Sequence, residues 1–210
     1  MGVLYTLMLG TRVLIPAAIF RVARMTILEI LPHALTAPVV ADERIRWATP
    51  QDVQQLAAFG HALDALQRRI AEGARACILT ERTMLLAYVW FHGPYHDEED
   101  LGVRFSLGPG EIWLFDAMVK VDQRGRGLYP QLLKTATRDL GREGVRRILI
   151  AIETANGNSL HAHQAAGAKA VTTVCGLRIF GFTFVWHGRR VRAAWTGSTG
   201  YVRLPTSSIA

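Results

Sequence analysis

The sequence predicts an α+β domain built on a mixed central sheet, and three observations support this. Half of the 210 residues are hydrophobic and 20% are charged, which is typical of a chain with a packed core rather than a disordered one. From residue 41 onward, strand-like and helix-like segments follow one another as strand, helix, hairpin strands, strand, helix, strand, helix, strand, strand. The segment 145–152 is an apolar strand, continuous enough to be central in a sheet and buried on both faces. This order indicates one domain in which helices cover a mixed sheet.

Seven segments have the alternating or continuous apolar pattern of β-strands. The first alternates polar and apolar residues, and the second and third are joined by the polar turn 81–83, as in a hairpin. The last two strands are expected to end at a turn at His187-Gly188. The predicted strands are 44–47, 77–80, 84–91, 111–121, 145–152, 170–174 and 178–186.

Three segments have helical periodicity and recognisable ends. Thr49 is suited to cap the first helix, with Pro50 at its first position, and apolar residues at helical spacing predict that it runs to residue 70. The second helix, 130–140, is expected to end at Gly141, and the third, 159–166, at Gly167.

The remaining segments suggest the domain boundaries. We expect 92–110 to be a solvated loop, because it holds the acidic run 97–100, four glycines and two prolines. Residues 1–40 form a hydrophobic extension without a secretory signal or a spanning helix. This extension could pack on the core, form a homodimer interface or contact a membrane surface. The first two alternatives are favoured. The domain is expected to cover 41–192, and 193–210 to be a polar tail.

Charge and cysteine content limit the function classes. The net charge is +7, and no acidic residue follows Glu153, whereas six basic residues do. This suits an anionic ligand, polymer or surface, although solubility explains it equally well. Nucleic-acid binding is ranked last, because no recognition helix or stacking aromatic set is present. Cys77 and Cys175 lie in apolar surroundings without a CxxC pair, which predicts free thiols in the cytoplasm and no metal site.

The most informative stretch leads from the end of a strand into a helix. The turn Arg124-Gly125-Arg126-Gly127 is basic and rich in glycine, and it opens directly into the helix at Leu128-Tyr129. Glycines allow backbone amides to approach a ligand, and unpaired N–H groups at a helix start attract anions. The stretch therefore predicts a pyrophosphate site that is neither a P-loop nor a Rossmann fingerprint.

The turn resembles the acyl-CoA signature of the GNAT superfamily of N-acyltransferases, Arg/Gln-x-x-Gly-x-Gly/Ala. Arg124 to Tyr129 matches it except at the last place, where Tyr129 replaces a small residue. Asn156, Ser159 and Gly167 match a second family pattern in the same register. His163 stands there at the usual tyrosine place, and Ala168 at the phenylalanine place. The resemblance covers about 41–186.

The resemblance implies a splayed sheet that binds acetyl-CoA in its gap. The backbone amides of Val119 and Val121 would bind the pantetheine arm. The amides from Gly125 to Tyr129, including that of Leu128, would bind the pyrophosphate. Arg124 and Arg126 would add charge. Asn156 would bind the cofactor or stabilise the following turn, together with Ser159.

The family reaction is attack of an amine on the thioester of acetyl-CoA. His163 is the candidate acid for the leaving thiolate, since imidazole titrates near neutrality. Glu111 and Asp116 are the candidate bases, and they point to opposite faces of their strand. The backbone N–H of Val119 would stabilise the developing oxyanion.

The acceptor is expected to contact 59–74, 88–96 and 179–186. The basic C-terminal third slightly favours an anionic acceptor, such as a nucleotide- or lipid-linked amino sugar. The alternative reading is a catalytically silent GNAT domain that binds acyl-CoA and acts as an interaction module. Tyr129, His163 and Ala168 depart from the family pattern and keep this alternative open.

Overall fold

The structure is a computed structural model of the chain. It describes residues 20–34, 42–180 and 182–187, and the backbone of two further strands at 190–195 and 200–203. The extension expected over 1–40 falls partly on residues 1–19 and 35–40, which lie outside the described residues.

Twelve strands in this part of the chain form a nine-stranded and a three-stranded sheet. They are β1 (Phe20–Ile30), β2 (Ile45–Trp47), β3 (Arg75–Glu81), β4 (Met84–His92), β5 (Tyr95–Glu98), β6 (Val103–Ser106), β7 (Glu111–Val119), β8 (Arg147–Glu153), β9 (Lys169–Ile179), β10 (Phe182–His187), β11 (Arg190–Trp195) and β12 (Gly200–Arg203).

The large sheet has the order β11-β10-β9-β1-β8-β7-β4-β3-β2, and its neighbours are antiparallel except for β7 and β8. The strand β1 lies between β8 and β9 and pairs with both. Its buried residues Ile27, Leu28 and Ile30 belong to the core on the two faces of the sheet. The second half of the expected extension is thus an interior strand of the domain.

Four α-helices cover the two faces of the sheet: α1 (Val53–Ala57), α2 (Leu63–Ala71), α3 (Leu128–Arg142) and α4 (Gly157–Ala165). The apolar side of α3 packs with Leu114, Ile148 and Ile150 on one face. Leu56 of α1 and Leu66 of α2 pack with Tyr88 and Trp90 on the other. Because side chains alternate along β4, its two faces serve two separate cores.

The helix expected from Pro50 to Ile70 is a short 3-10 turn, Pro50–Asp52, followed by two α-helices in the structure. The chain leaves α1 after Ala57 and passes through Gly60, which has a φ of +99° that favours glycine. Gly141 does not end α3, which continues to Arg142. A Cβ at Gly141 would lie 2.8 Å from Pro32 Cβ, so this glycine permits close packing instead.

The expected loop 92–110 contains β5 and β6, which pair with each other and, through β6, with β12. Leu101, Val103 and Phe105 are buried and cover the central sheet opposite α3. The apolar alternation of these residues outweighs the polar composition around them. Part of the expected polar tail, Gly200–Arg203, is therefore a strand of this small sheet.

The strands expected at 170–174 and 178–186 are differently divided. Cys175 and Gly176 continue β9, since they pair with Arg24 and Ala23 of β1. The turn that follows begins at Phe180, ahead of β10. No helix among the described residues is long and apolar enough to span a membrane.

Candidate active site

The candidate site begins where β7 and β8 separate. The two strands pair in parallel only from Glu111–Arg147 to Leu114–Ile150, yet β7 continues to Val119 and β8 to Glu153. The free part of β7 stays paired with β4, and that of β8 with β1. A gap therefore opens between the ends of two neighbouring parallel strands, as the resemblance predicts.

The edge of β7 offers hydrogen-bond donors to this gap. Lys120 donates its N–H to Leu86 O on β4, 2.9 Å away. Because N–H groups alternate between the two edges of a strand in an antiparallel ladder, the N–H of Val119 points to the gap. Val121 does not end this strand as expected: it begins the 3-10 turn Val121–Gln123 after β7 and is 76% exposed.

The turn after β7 is basic and open to solvent. Gly125 and Gly127 have φ values of +78° and +72°, and no other atom lies within 4 Å of where their Cβ atoms would be. Gly127 is the N-cap of α3, whose first N–H groups have no partner within the helix. Arg124 and Arg126 are exposed on the turn, and Arg124 Nε donates to Val119 O at 3.3 Å. The donors and charges fit a pyrophosphate.

The two residues that depart most from the family pattern contact each other. Tyr129 on α3 and His163 on α4 are both buried, and the tyrosine hydroxyl lies 2.6 Å from His163 Nε2. His163 Nδ1 lies 2.8 Å from Ser159 O, a carbonyl that can only accept, so Nδ1 carries the proton. Nε2 then accepts from Tyr129. Burial lowers the pKa of His163 and raises that of Tyr129.

A β-bulge in β7 places Asp116 beside the gap. Phe115 pairs with Trp90 and Ala117 with Val89, so Asp116 is the extra residue, and its φ is +46°. This is an uncommon backbone conformation for a residue other than glycine, and it is strained unless neighbours hold it. The bulge turns the carboxylate toward α2, away from α3.

Three side chains surround this carboxylate. Tyr88 Oη donates to Asp116 Oδ1 at 3.0 Å, and Arg69 forms an ion pair with Oδ2. Burial, and then the nearby carboxylate, raise the pKa of Tyr88, so its phenol remains protonated. His61 Nε2 lies 2.6 Å from Tyr88 Oη and 3.5 Å from Asp116 Oδ2. Since both partners act as acceptors toward it, Nε2 carries the proton and Nδ1 is left with the lone pair.

The other sequence-predicted residues take structural positions. Glu111 lies at the opposite end of β7 from the gap, where it accepts from Arg147 at 2.9 Å and from Gly108 N at 2.7 Å. Asn156 caps α4, and its Oδ1 accepts from Ser159 N at 3.1 Å. Of the two roles open for Asn156, the structure shows stabilisation of the turn.

A cavity of about 660 Å³ lies on the α2 side of the sheet, next to Asp116 and the side chains that surround it. Arg69 and Phe115, which adjoin Asp116, form part of its wall. The wall carries the carboxylates of Glu72 and of each of residues 97–100. Its guanidinium groups are those of Arg69 and Arg104. The cavity therefore has a surplus of negative charge.

His61 and Tyr88 have no pattern in the sequence that marks them as site residues. His61 lies in the break between two helices that were expected to be one, and Tyr88 looks like any aromatic residue of an apolar strand. Both lie within ranges expected to contact the acceptor, His61 in 59–74 and Tyr88 in 88–96, but neither had an assigned role. Within the described part of the chain, no group of three or more His, Cys, Asp and Glu side chains could hold a metal ion.

Comparisons with solved structures give the fold. The chain is similar to an acetyltransferase of the GNAT family from Novosphingobium aromaticivorans, with a TM-score of 0.54, 15% identity, and coverage of 74% of this chain and 63% of that one. It is also similar to a GCN5-related N-acetyltransferase from Sphaerobacter thermophilus, with a TM-score of 0.51, 17% identity, and coverage of 91% and 58%.

A third similar structure is the glucosamine N-acetyltransferase region of a fungal multi-domain β-N-acetylglucosaminidase. Its TM-score is 0.52 at 17% identity, with coverage of 73% of this chain and 21% of that one. The chain thus spans less than two thirds of each of these proteins.

A comparison with curated proteins found no match. The family model described as the acetyltransferase (GNAT) family matches residues 43–168, which is more than half of the chain. The splayed strands, the glycine turn and this match lead to one conclusion: the chain belongs to the GNAT family of acetyltransferases.

Proposed function

We propose that the protein is an N-acetyltransferase that moves the acetyl group of acetyl-CoA to an amine by direct attack. The observation that carries the proposal is the gap between β7 and β8, with the Val119 N–H facing it and the open turn 124–127 following it. A sheet that parts at this point exposes donors that a closed sheet would bury in pairing.

Acetyl-CoA would supply an activated acyl group as a thioester. The N–H groups at the start of α3 and the side chains of Arg124 and Arg126 would hold its pyrophosphate. The N–H of Val119 would donate to the carbonyl oxygen as negative charge develops there. Pro130 lacks an N–H, but at the third helical position it leaves no hydrogen bond of α3 unmade.

The acceptor amine would approach from the α2 side. An amine must be neutral to attack, so a nearby group has to take its proton. We assign this role to Nδ1 of His61, whose Nε2–H faces Tyr88 Oη and Asp116. The Asp116 carboxylate would stabilise the imidazolium that forms, as an orienting carboxylate does in other acid–base pairs. Direct action of Asp116 as the base is the competing assignment.

The Tyr129–His163 pair is the candidate proton donor to the leaving thiolate. In the resemblance His163 alone has this role, but its Nε2 carries no proton in the arrangement described here. The proton nearest to that position belongs to the tyrosine hydroxyl. We therefore propose that the two residues act as a unit, in which His163 positions Tyr129.

The charge of the cavity bears on the acceptor class. An anionic acceptor was slightly favoured by the basic C-terminal third, whereas the cavity beside Asp116 carries more carboxylates than guanidinium groups. An acceptor that bears a second positive charge is better matched electrostatically. In a panel of acceptors, we expect spermidine to react faster than glucosamine 6-phosphate.

The test is thermal unfolding of the pure protein with and without acetyl-CoA. A ligand at 100 times its dissociation constant stabilises the folded state by about 2.7 kcal/mol. We expect Arg124→Ala and Gly127→Asp to abolish the shift. Matched controls at the far end of α3, Arg142→Ala and Gly144→Asp, should retain it, since Gly144 has a similarly positive φ of +93°.

Turnover separates the two readings of this family member. Release of free CoA with any amine of the panel supports the enzyme. A clear thermal shift without turnover across the panel favours the silent acyl-CoA-binding domain. The absence of a shift in a folded wild-type protein contradicts both.

A further inference from the structure

One end of the central sheet extends well past its neighbours. The strand β8 ends at Glu153, which pairs with Met25, whereas β1 begins five residues further out at Phe20 and pairs there with Ile179 of β9. At about 3.3 Å per residue, this outer part is about 16 Å long. We call it the arm; it consists of 20–24 of β1, 175–180 of β9 and its turn, and 182–186 of β10.

One face of the arm is held against the rest of the domain. Ala23 and Val185 are buried there in the core that the small sheet covers. Arg21 forms an ion pair with Asp100, and Arg178 donates to Glu99 O at 3.3 Å. The arm is therefore a fixed part of the fold.

The opposite face of the arm is apolar and open to solvent. The pairing register places Phe20 beside Ile179, and Ile179 beside Phe182, on this face. Trp186 lies on the same side of β10, since side chains two residues apart share a face. Of the nine large apolar side chains exposed among the described residues, four belong to the arm: Ile179 (36%), Phe180 (74%), Phe182 (45%) and Trp186 (36%).

The charge on this face is positive. Among its described residues the one charged side chain is Arg24, which is exposed. Residues 1–19, which lead directly into Phe20, are mostly apolar and contain one charged side chain, Arg12. Apolar and aromatic groups flanked by arginine are the chemistry of the bilayer interface.

We propose that this face of the arm docks on the surface of an anionic lipid bilayer. A second copy of the chain is disfavoured as the occupant, because a two-fold contact across this face would bring the Arg24 side chains of both copies together. Anionic headgroups instead complement these charges, and the acyl boundary accepts Phe180 and its neighbours. The proposal is independent of the acetyl transfer reaction.

The orientation follows from the topology. The arm projects beyond the end of β8, which is the end where β8 parts from β7. Docking through the arm would therefore bring the mouth of the gap near the lipid surface. Amines presented at that surface would be within reach of the site.

The experiment is co-sedimentation of the full chain with vesicles of phosphatidylcholine alone or of phosphatidylcholine mixed with phosphatidylglycerol. We expect binding to the mixed vesicles and little to the neutral ones, with a decrease at high salt. The double substitution Phe180→Ser/Phe182→Ser should lower the bound fraction roughly tenfold, and Arg24→Glu should lower it as well. Leu63→Ser is the matched control, since Leu63 on α2 is 40% exposed and lies away from the arm.

Thermal unfolding with and without acetyl-CoA shows that each variant is folded, and it reports the cofactor site separately from docking. The proposal is overturned if the wild-type protein does not bind the mixed vesicles, if it binds neutral vesicles equally well, or if the arm variants bind as the wild type does. A wild-type dimer that Phe180→Ser/Phe182→Ser converts to a monomer, without vesicle binding, would identify a second copy as the occupant.

Discussion

The tyrosine hydroxyl of Tyr129 and Nε2 of His163 satisfy each other in a buried site. Tyr129→Phe leaves a buried nitrogen without its donor and should lower the free energy of unfolding by about 1–2 kcal/mol. If the pair protonates the leaving thiolate, kcat should also fall while the KM for acetyl-CoA changes little. Denaturant titration and steady-state kinetics measure the two effects.

The double variant Tyr129→Phe/His163→Leu is the control for this prediction. It removes both polar partners, so it should cost less stability than the sum of the single substitutions. Additive losses would contradict a direct hydrogen bond between the two residues. An unchanged kcat in folded Tyr129→Phe would remove the pair from the proton path.

The same histidine predicts a pH dependence of stability. Burial lowers the pKa of His163 in the folded protein below its ordinary value near 6.5. The unfolded chain therefore binds a proton first as the pH falls, and the folded state loses up to about 1.4 kcal/mol per pH unit below about pH 6.5. The loss ends once the pH is below the lowered pKa. Denaturant midpoints from pH 7 to pH 5 should decrease in the wild type and much less in Tyr129→Phe/His163→Leu.

At the scale of elements, the bulge of β7 decides which residue acts as the base. If His61 takes the proton and Asp116 stabilises it, both His61→Asn and Asp116→Asn should lower kcat by about 100-fold or more. The acetyl-CoA thermal shift should remain in both, since neither residue belongs to the turn 124–127. Loss of activity in Asp116→Asn with full activity in His61→Asn would instead make Asp116 the base.

Local signals in the sequence located most elements but not all of their ends. The continuous apolar runs that became β4 and β8 were recognisable because burial on both faces leaves no polar positions. The break between α1 and α2 was not recognisable, because Leu63, Leu66 and Ile70 continue the helical spacing of α1 beyond Gly60. Gly141 was misread as a helix end, because a glycine selected for contact with Pro32 looks identical in sequence to a cap.

The candidate site also has one part that local sequence signals predict and one part that they do not. The turn 124–127 was predicted because its donors are consecutive in the chain. The cluster of His61, Arg69, Tyr88 and Asp116 comes from a loop, a helix and two strands, and no local pattern joins them. The bulge that turns Asp116 toward α2 depends on its pairing with β4, which only the folded sheet shows.

At the scale of the whole molecule, Arg147 links three strands of the central sheet. This residue of β8 is 4% exposed and forms ion pairs with Glu29 of β1 at 2.7 Å and Glu111 of β7 at 2.9 Å. Arg147→Ala would leave two carboxylates close together without their cation. We expect a loss of about 3–5 kcal/mol in the free energy of unfolding, measured by denaturant titration.

A compensated variant tests the explanation. Arg147→Met/Glu29→Gln/Glu111→Gln removes all three charges and should recover much of the loss, since a buried ion pair is often replaced by neutral residues at little cost. If it is no more stable than Arg147→Ala, the loss comes from packing rather than from unpaired charge.

The sequence left open whether the segment of β1 packs on the core, and it does not show that this segment is a strand inside the central sheet. Its segment lies outside the matched range 43–168, and a hydrophobic stretch near the start of a chain looks the same whether it packs within a sheet or against a partner. Only its pairing with β8 and β9 distinguishes these outcomes. Such pairings join residues more than a hundred positions apart.

This arrangement has a consequence for how the protein is made. On the ribosome, β1 emerges before both of its partners, which end only at Glu153 and Ile179. Until then its apolar residues have no sheet to join, and unpaired strands of this kind are prone to aggregate. The nascent chain must therefore keep β1 from aggregating while more than a hundred further residues are synthesised, and the central sheet can be completed only after Ile179 has emerged.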